Sequence, residues 1–340
     1  MQIYMMGYYS YATLTSNKDN RAIKISIFGA MCDAGMLLGT ILSPIIFNNF
    51  GYVMSYSIRI GSILVSIIYL IFFVEEPRDI KENNQGSVNS ESPFGLKTFV
   101  VDVIVNPLLN TIECIVKKRE NGVRSLLVLQ FFLFGLYYAT TSFYGIEYLY
   151  LLRIFDNSEF DQKGTNYAQL KMMLQVLNIL HQLAVLPFLR RVLKLHETAI
   201  LILVSIFDLI GIFCALSSHN YWPEYILARL IMSFDACRWT SARSLMTKCI
   251  SPGQEVSSVF ASNSILTTIF PLFSHMIFRK TYNATVDSCP WAFMWVTFSL
   301  FAVAFVSNIY LYTRRKDIEY TAILNEASDA KNTHSKKSET

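Results

Sequence analysis

Long apolar runs recur along this chain and are separated by short polar segments. Eight of the runs approach or exceed the roughly 20 apolar residues that a helix needs to cross a bilayer. They cover residues 25–47, 52–74, 124–152, 167–189, 198–217, 224–247, 254–278 and 290–313. The first twelve or so residues are also apolar, but they are too few to cross and are typical of the second half of a helix. We therefore predict an all-α, polytopic membrane protein with about eight complete transmembrane helices.

Composition supports this fold class. The chain has 340 residues, of which 53% are hydrophobic and 16% charged, whereas a soluble domain carries about 25% charged residues. The apolar runs contain no HExxH or GxSxG motif, so we predict no enzymatic activity. The cysteines form no CxxC pair and no cluster with histidines, so neither a metal nor another cofactor is expected.

The distribution of lysine and arginine predicts the orientation of the helices. Cytoplasmic connections of membrane proteins are enriched in these residues. If segments 16–24, 75–124, 190–197, 243–253 and the tail after residue 313 are cytoplasmic, they hold 21 of the 29 lysines and arginines. Topology therefore accounts for the net charge of +4, and no nucleic-acid partner is expected. The one N-x-S/T sequon, at Asn283, falls on the opposite side and is a predicted glycosylation site.

The longest connection, 75–123, divides the chain into a front part (1–74) and a back part of six spans (124–313), followed by a tail (314–340). The second portion of this connection has two open interpretations: an amphipathic helix on the inner membrane surface, or a partly ordered loop. Six spans after a long basic loop are typical of the back half of a twelve-helix carrier. Such carriers place their binding site between two halves.

Ionisable side chains within apolar runs are costly and are candidates for function. Asp33 lies in the first complete run, beside a small-xxx-small pair, and either takes up a proton, makes a structural hydrogen bond or lines a wet cavity. Asp208 lies in the middle of a run and either functions directly or pairs with a polar group on a neighbouring helix.

Two further candidates lie later in the chain. Asp235 and Arg238 are three residues apart, so they either pair along one helix face or leave Arg238 to attract an anion. His275 follows Pro271 by one turn, at a position where a helix can bend, whereas His181 is interpreted as structural. Arg229 lies near the outer end of its run, where we expect its side chain to snorkel to the interface.

Arg243 lies at the predicted cytoplasmic mouth of the sixth run. After it, Ser251, Pro252 and Gln254 have the spacing of a helix N-cap with a capping box, which predicts the start of the next helix. From position alone, Arg243 is equally consistent with an anion-binding residue of an inner gate and with a snorkelling arginine.

Several stretches resemble one transporter family. RSLMTKCISPGQEVSSVFA (243–261), TYNATVDSCPWAF (281–293), and segments 145–170 and 17–39 are similar to the proton-coupled folate transporter and thymic stromal cotransporter family of the major facilitator superfamily. The resemblance covers about residues 1–315. It implies a major-facilitator helical bundle in which helices 1–3 and part of helix 4 are missing from the front part.

The resemblance also implies a function. It predicts a solute carrier for proton-coupled symport of a folate-like or other small organic anion by alternating access, with the proton as coupling ion. Arg243 matches the family's arginine for substrate binding and coupling, whereas Asp33 has no clean match to the family's fifth-helix acid. The predicted location is the plasma membrane, and no oligomeric state is implied. The alternative is a transport-incompetent truncated isoform, or an incomplete gene model, that acts through a membrane partner.

Overall fold

The computed structural model describes Tyr11 and residues 18–73, 123–155, 165–218, 222–250 and 254–320. Regular secondary structure in these ranges is entirely helical, so the predicted all-α fold is confirmed. Four predictions lie outside the described residues: the N-terminal half-helix, the amphipathic segment before residue 123, the capping side chains around Ser251, and the tail after residue 320.

The front part forms one helix, α1 (Lys18–Phe73), with a break at Gly51. Gly51 has a φ of +74°, which is a left-handed conformation that a residue without a Cβ adopts at little cost. The break lies close to the junction of two candidate spans, Ile23–Phe47 and Asn49–Phe72, where the sequence predicts two separate runs. The first span packs against helices of the back part, whereas no residue in the most apolar stretch of the second span is buried.

The back part contains a series of helices of unequal length. They are α2 (Val123–Thr140), α3 (Phe143–Ile154), α4 (Thr165–Leu180), α5 (Leu186–Arg191), α6 (Glu197–Ser217), α7 (Trp222–Met232), α8 (Asp235–Lys248), α9 (Gln254–Thr285) and α10 (Ala292–Thr313). A π-helical segment, His181–Val185, joins α4 to α5, so that the three form one continuous helix.

By length and apolar composition, six candidate spans occur among the described residues, and the other two predicted runs, 224–247 and 254–278, also form helices. The predicted run 224–247 is broken into α7 and α8, which have only 11 and 14 residues. Helix α9 contains the predicted run 254–278 and has 32 residues, which is long enough to cross a bilayer. The predicted outer loop 279–289 is also shorter, because α9 continues to Thr285.

Two chain breaks lie in the interior of the back part. Thr140 and Thr141 donate their hydroxyls to the carbonyls three residues earlier, and the chain turns before α3 begins. Ser233 separates α7 from α8, and its carbonyl accepts a 3.0 Å hydrogen bond from Nδ1 of His181. Non-helical backbone at membrane depth needs such partners. His181 is therefore structural, as predicted, and its ring also stacks on Phe234.

Helix α6 packs against α7, α8 and α10, and α9 packs against α2. Close approach of α6 to α7 depends on Gly211, where a Cβ would lie 3.0 Å from the carbonyl oxygen of Ala228. Small residues at such positions stabilise helix pairs in lipid, because they permit extensive van der Waals contact. This packing brings the polar side chains of α7 and α8 towards α1 and α4.

Candidate functional site

A cavity of about 410 Å³ lies between the first span of α1 and the helices of the back part. Its walls come from α1, α2, α3, α4, α7 and α8, and both interior chain breaks contribute to it. The lining residues are Gly29, Cys32, Asp33, Met36, Tyr138, Thr141, Tyr144, Lys171, Leu174, Gln175, Asn178, Gln182, Arg229, Met232, Ser233, Asp235, Ala236, Trp239, Thr240 and Arg243. Three of the predicted site residues, Asp33, Asp235 and Arg243, are therefore brought together.

Asp33 contacts the back part directly. The side-chain amide of Gln182 donates a 2.5 Å hydrogen bond to Oδ2 of Asp33. Two turns earlier in α1, the hydroxyl of Ser26 donates to the backbone carbonyl of Gln182. Gly29 lies between these contacts, and a Cβ there would collide with the Gln182 side chain. Gln182 belongs to the π-helical segment, and such segments occur frequently at functional sites.

Arg243 lies on the same wall of the cavity as Trp239. Its guanidinium is 5.9 Å from the centre of the Trp239 ring, and Nη2 donates a 3.3 Å hydrogen bond to the hydroxyl of Tyr138. Tyr138 also packs on Trp239 with ring centres 4.5 Å apart. The side chain therefore lies against the aromatic wall of the cavity.

A buried carboxylate, Glu147, forms the centre of one charge cluster. Oε1 accepts from the hydroxyl of Tyr225 at 2.8 Å and lies 2.7 Å from Nε of Arg229. Oε2 accepts from Nζ of Lys171 at 2.8 Å and from the hydroxyl of Tyr167 at 3.0 Å. Both oxygens are therefore fully satisfied.

The expectation that Arg229 snorkels is wrong. Its side chain is 4% exposed, is paired with Glu147, and lies 4.8 Å from the centre of the Tyr144 ring. The physical reason is that a carboxylate on α3 lies within reach and is itself buried, so the pair is retained inside the fold.

A second charge cluster contains Asp208, Asp235 and Arg238. Arg238 contacts Asp208 on the neighbouring helix α6 and Asp235 in its own helix, the latter at 3.2 Å. The predicted pairing of Asp235 with Arg238, and of Asp208 with a polar group on another helix, is confirmed. The alternative that Arg238 is partly free to attract an anion is contradicted, because its side chain is 2% exposed and two carboxylates hold it. Only Asp235 of this cluster lines the cavity.

A third charge cluster lies at the N-terminal end of α6. Glu197 binds Arg190 at 2.7 Å and Lys248 at 2.8 Å, and it accepts a 3.1 Å hydrogen bond from Ser244. His196 lies beside it, with Nδ1 accepting from the amide of Thr198, the N-cap contact of α6. These contacts tie the ends of α5, α6 and α8 together. Burial lowers the pKa of His196 below its ordinary value of 6.5.

Two predicted residues lie away from the cavity. His275 is exposed on α9 and does not belong to the lining, although Pro271 precedes it in the same unbroken helix. Asn283 is exposed in the last turn of α9. The sequence pattern assigned this sequon to a loop, whereas Asn283 lies within a helix.

Sequence reasoning missed Glu147, Lys171 and Gln182. Glu147 and Lys171 lie near the ends of apolar runs, where charged residues are ordinary and attract no attention. A useful signal was the tyrosine-rich stretch around Glu147, because buried tyrosine hydroxyls need acceptors. For Gln182 no signal existed, since its importance comes from a partner 149 residues away in the chain.

The comparisons with known proteins agree with the architecture. The family model described as Major Facilitator Superfamily matches residues 1–207. The structure is similar to the human organic anion transporter MFSD10 (TETRAN), with a TM-score of 0.61 and 16% identity over 88% of this chain and 66% of that chain. It is also similar to the E. coli fucose:proton symporter FucP, with a TM-score of 0.61 and 12% identity over 90% of this chain and 72% of that chain.

At these identities the two structures show a shared fold and no more, and this chain spans only 66% of the length of the human transporter. No curated protein sequence gives a significant match. The family model covers well over half of the chain, and the helical architecture agrees with it. This chain therefore belongs to the Major Facilitator Superfamily.

Proposed function

We propose that this chain acts in a membrane carrier that moves a small organic anion together with a proton by alternating access. The observation that carries the proposal is the polar cavity between α1 and the back part, with Arg243, Lys171 and Arg229 in its walls. Its volume of about 410 Å³ falls within the range of small-molecule sites. Buried cations beside an aqueous cavity favour an anionic ligand over a neutral one.

The aromatic wall supports an organic rather than an inorganic anion. Tyr138, Tyr144 and Trp239 present ring surfaces to the same space as the cations. Small-molecule sites commonly combine such apolar surface with a few charged groups that set orientation. A carboxylate attached to an apolar or aromatic body satisfies both features, and a folate-like molecule is one member of this class.

Proton coupling is supported by the acids of the cavity. Asp33 and Asp235 both line it, and each contacts a group on another part of the fold or on its own helix. A carboxyl group that exchanges partners as the cavity changes shape can take up and release a proton. The human and bacterial proteins of similar fold are described as an organic anion transporter and a proton symporter, which is consistent with this assignment.

Uptake of radiolabelled folic acid by cells that express the chain tests the proposal. We expect faster uptake at acidic than at neutral external pH. Transport that is independent of pH would contradict the proton coupling. Absence of folic acid uptake by a chain that reaches the cell surface would contradict folic acid as the substrate, and absence of uptake of benzoate and other small organic anions as well would contradict the carrier function and favour the partner-dependent alternative.

The matched pair of variants is Arg243→Ala and Arg279→Ala. Arg279 is exposed on α9 and lies outside the cavity lining. We expect Arg243→Ala to abolish uptake while surface expression is retained, and Arg279→Ala to behave as the unaltered chain. Uptake that survives in Arg243→Ala would remove Arg243 from the proposed mechanism.

A further inference from the structure

The cluster around Glu147 holds more positive than negative charge. One buried carboxylate faces two cations, Lys171 and Arg229, and the other two partners, Tyr167 and Tyr225, are neutral hydroxyls. Because a neutral hydroxyl contributes no charge, the cluster keeps an excess of one positive charge. An uncompensated charge at a partly desolvated position is unfavourable unless another group neutralises it.

The excess charge reaches the cavity at Lys171. Glu147 is fully buried and the Arg229 side chain is 4% exposed, whereas the Lys171 side chain is 29% exposed. Nζ of Lys171 uses one of its three N–H groups for Glu147 and lies 4.5 Å from the centre of the Tyr144 ring. The ammonium is therefore held in a fixed position at the surface of the cavity.

The opposite charge imbalance occurs in the cluster of Asp208, Asp235 and Arg238, which contacts the hydroxyl of Tyr144. In the cluster of Asp208, Asp235 and Arg238, two carboxylates share one guanidinium, and Asp235 is the member that lines the cavity. The hydroxyl of Tyr144 lies 3.5 Å from Oδ2 of Asp235, and Nζ of Lys171 lies over the face of the same ring. Lys171 thus lies over the ring of Tyr144 and Asp235 lies at its hydroxyl, and an anion is favoured next to Lys171.

We infer that Lys171 is the residue that binds the anionic group of the transported molecule, and that Glu147 holds its ammonium in position. The inference rests on the proposed function and assigns the contact that recognises the charge. The ligand group is a carboxylate or a sulfonate of similar size, with its apolar body against the ring of Tyr144. Arg243, on the aromatic wall of the same cavity, is a separate contact with its own test.

Binding to the purified full-length chain tests this without measured transport. The probes are benzenesulfonate, which stays charged at all relevant pH values, and benzenesulfonamide, which has the same ring and no charge. Dissociation constants are measured for both in detergent. We expect the unaltered chain to prefer benzenesulfonate, and equal affinity for the two probes would overturn the inference.

Lys171→Gln removes the charge but keeps an amide that can donate to Glu147, and Arg229 and the two tyrosines still hold that carboxylate. We expect its affinity for benzenesulfonate to fall by about tenfold or more, as for the loss of one charge-assisted hydrogen bond, with no change for benzenesulfonamide. Lys171→Arg should retain the preference. A second neutral variant, Lys171→Met, guards against an effect specific to glutamine.

Lys248→Gln is the matched control. Lys248 is also paired with a buried glutamate at 2.8 Å, but it does not line the cavity. We expect this variant to keep the preference for benzenesulfonate. Undiminished preference in both neutral Lys171 variants would overturn the inference. If Arg243→Ala still abolished uptake in that case, the proposed function would stand without this assignment.

Discussion

The amide of Gln182 donates a 2.5 Å hydrogen bond to the carboxylate of Asp33 and thereby joins α1 to the π-helical segment of the back part. A hydrogen bond to a charged group contributes about 1.5–3 kcal/mol. We expect a double-mutant cycle on Asp33→Ala and Gln182→Ala to give a coupling free energy of this order.

The measurement is reversible unfolding in mixed micelles. The pair Thr40 and Gln175 joins the same two parts through a longer contact of 3.4 Å, and its cycle should give less than about 1 kcal/mol. Equal coupling in the two cycles would contradict the assignment of Asp33 and Gln182 as the main polar junction.

Arg238 should contribute more to the free energy of unfolding than Arg153, an exposed arginine that also forms a salt bridge. Arg238→Met leaves Asp208 and Asp235 without their buried cation, and breaking such a buried pair costs about 3–5 kcal/mol. Arg153→Met removes a 2.8 Å bridge to Asp287 whose partners are 48% and 90% exposed. The free energy of unfolding should change by less than about 1 kcal/mol there. Similar losses in the two variants would contradict the buried triad.

The contact between α6 and α7 should tolerate no side chain at Gly211. A Cβ at this position would meet the carbonyl oxygen of Ala228 at 3.0 Å and the amide nitrogen of Met232 at 3.2 Å. Gly211→Ala should therefore destabilise the fold by about 1–3 kcal/mol. A Cβ at Gly35 would meet no atom of the described residues within 4 Å, and Gly35→Ala should be neutral or stabilising by up to about 1 kcal/mol. Thermal unfolding of the two variants gives the comparison.

Acidification should weaken the fold through His196. Because burial lowers its pKa below 6.5 in the folded chain, the unfolded chain takes up a proton that the folded chain does not. Stability therefore falls as the pH falls through 6.5 towards the lower folded-state pKa, and His196 contributes no slope above that window. His196→Asn keeps an N-cap and removes the titration. Its melting temperature should depend less on pH across this window, and an unchanged slope would exclude His196 as the cause.

The orientation predicted from the lysine and arginine distribution can be tested at Asn283. Its exposed position in the last turn of α9 leaves room for a glycan. We expect glycosidase treatment of the chain from eukaryotic cells to increase its gel mobility, and Asn283→Gln to abolish that shift. The predicted orientation would be contradicted if the chain carried no glycan and if reagents added outside the cell labelled the loops that are predicted to be cytoplasmic.

The sequence was sufficient for the features that depend on local pattern. Apolar run length identified the helices, and the three-residue spacing of Asp235 and Arg238 identified their pairing. The break at Ser233 was not predictable from the apolar run, because a partner on another element, His181, satisfies the interrupted carbonyl. Likewise, the burial of Arg229 depends on Glu147, which lies 82 positions earlier in the sequence.

The candidate site shows the same division. Asp33 became a candidate because ionisable groups in apolar runs are rare, whereas Arg243 was selected through its resemblance to a transporter family's arginine. Lys171 was not identifiable, because its proposed role depends on the contact of one carboxylate with two cations, which only the folded chain brings together. The net charge of a cluster can be counted only when the fold shows which residues belong to it. A single ionisable residue within an apolar run, by contrast, is visible in the sequence.

The position of Cys32 in the wall of the cavity gives this chain a native labelling site. Among the described cysteines, Cys237 and Cys249 are buried, and Cys214 and Cys289 are partly exposed like Cys32 but do not line the cavity. With Cys214 and Cys289 replaced by serine, a maleimide that enters the cavity would meet Cys32. The rate of its alkylation, measured from each side of a sealed vesicle, would report which side the cavity faces. Access to the two faces could thus be followed through a transport cycle without introducing any new cysteine.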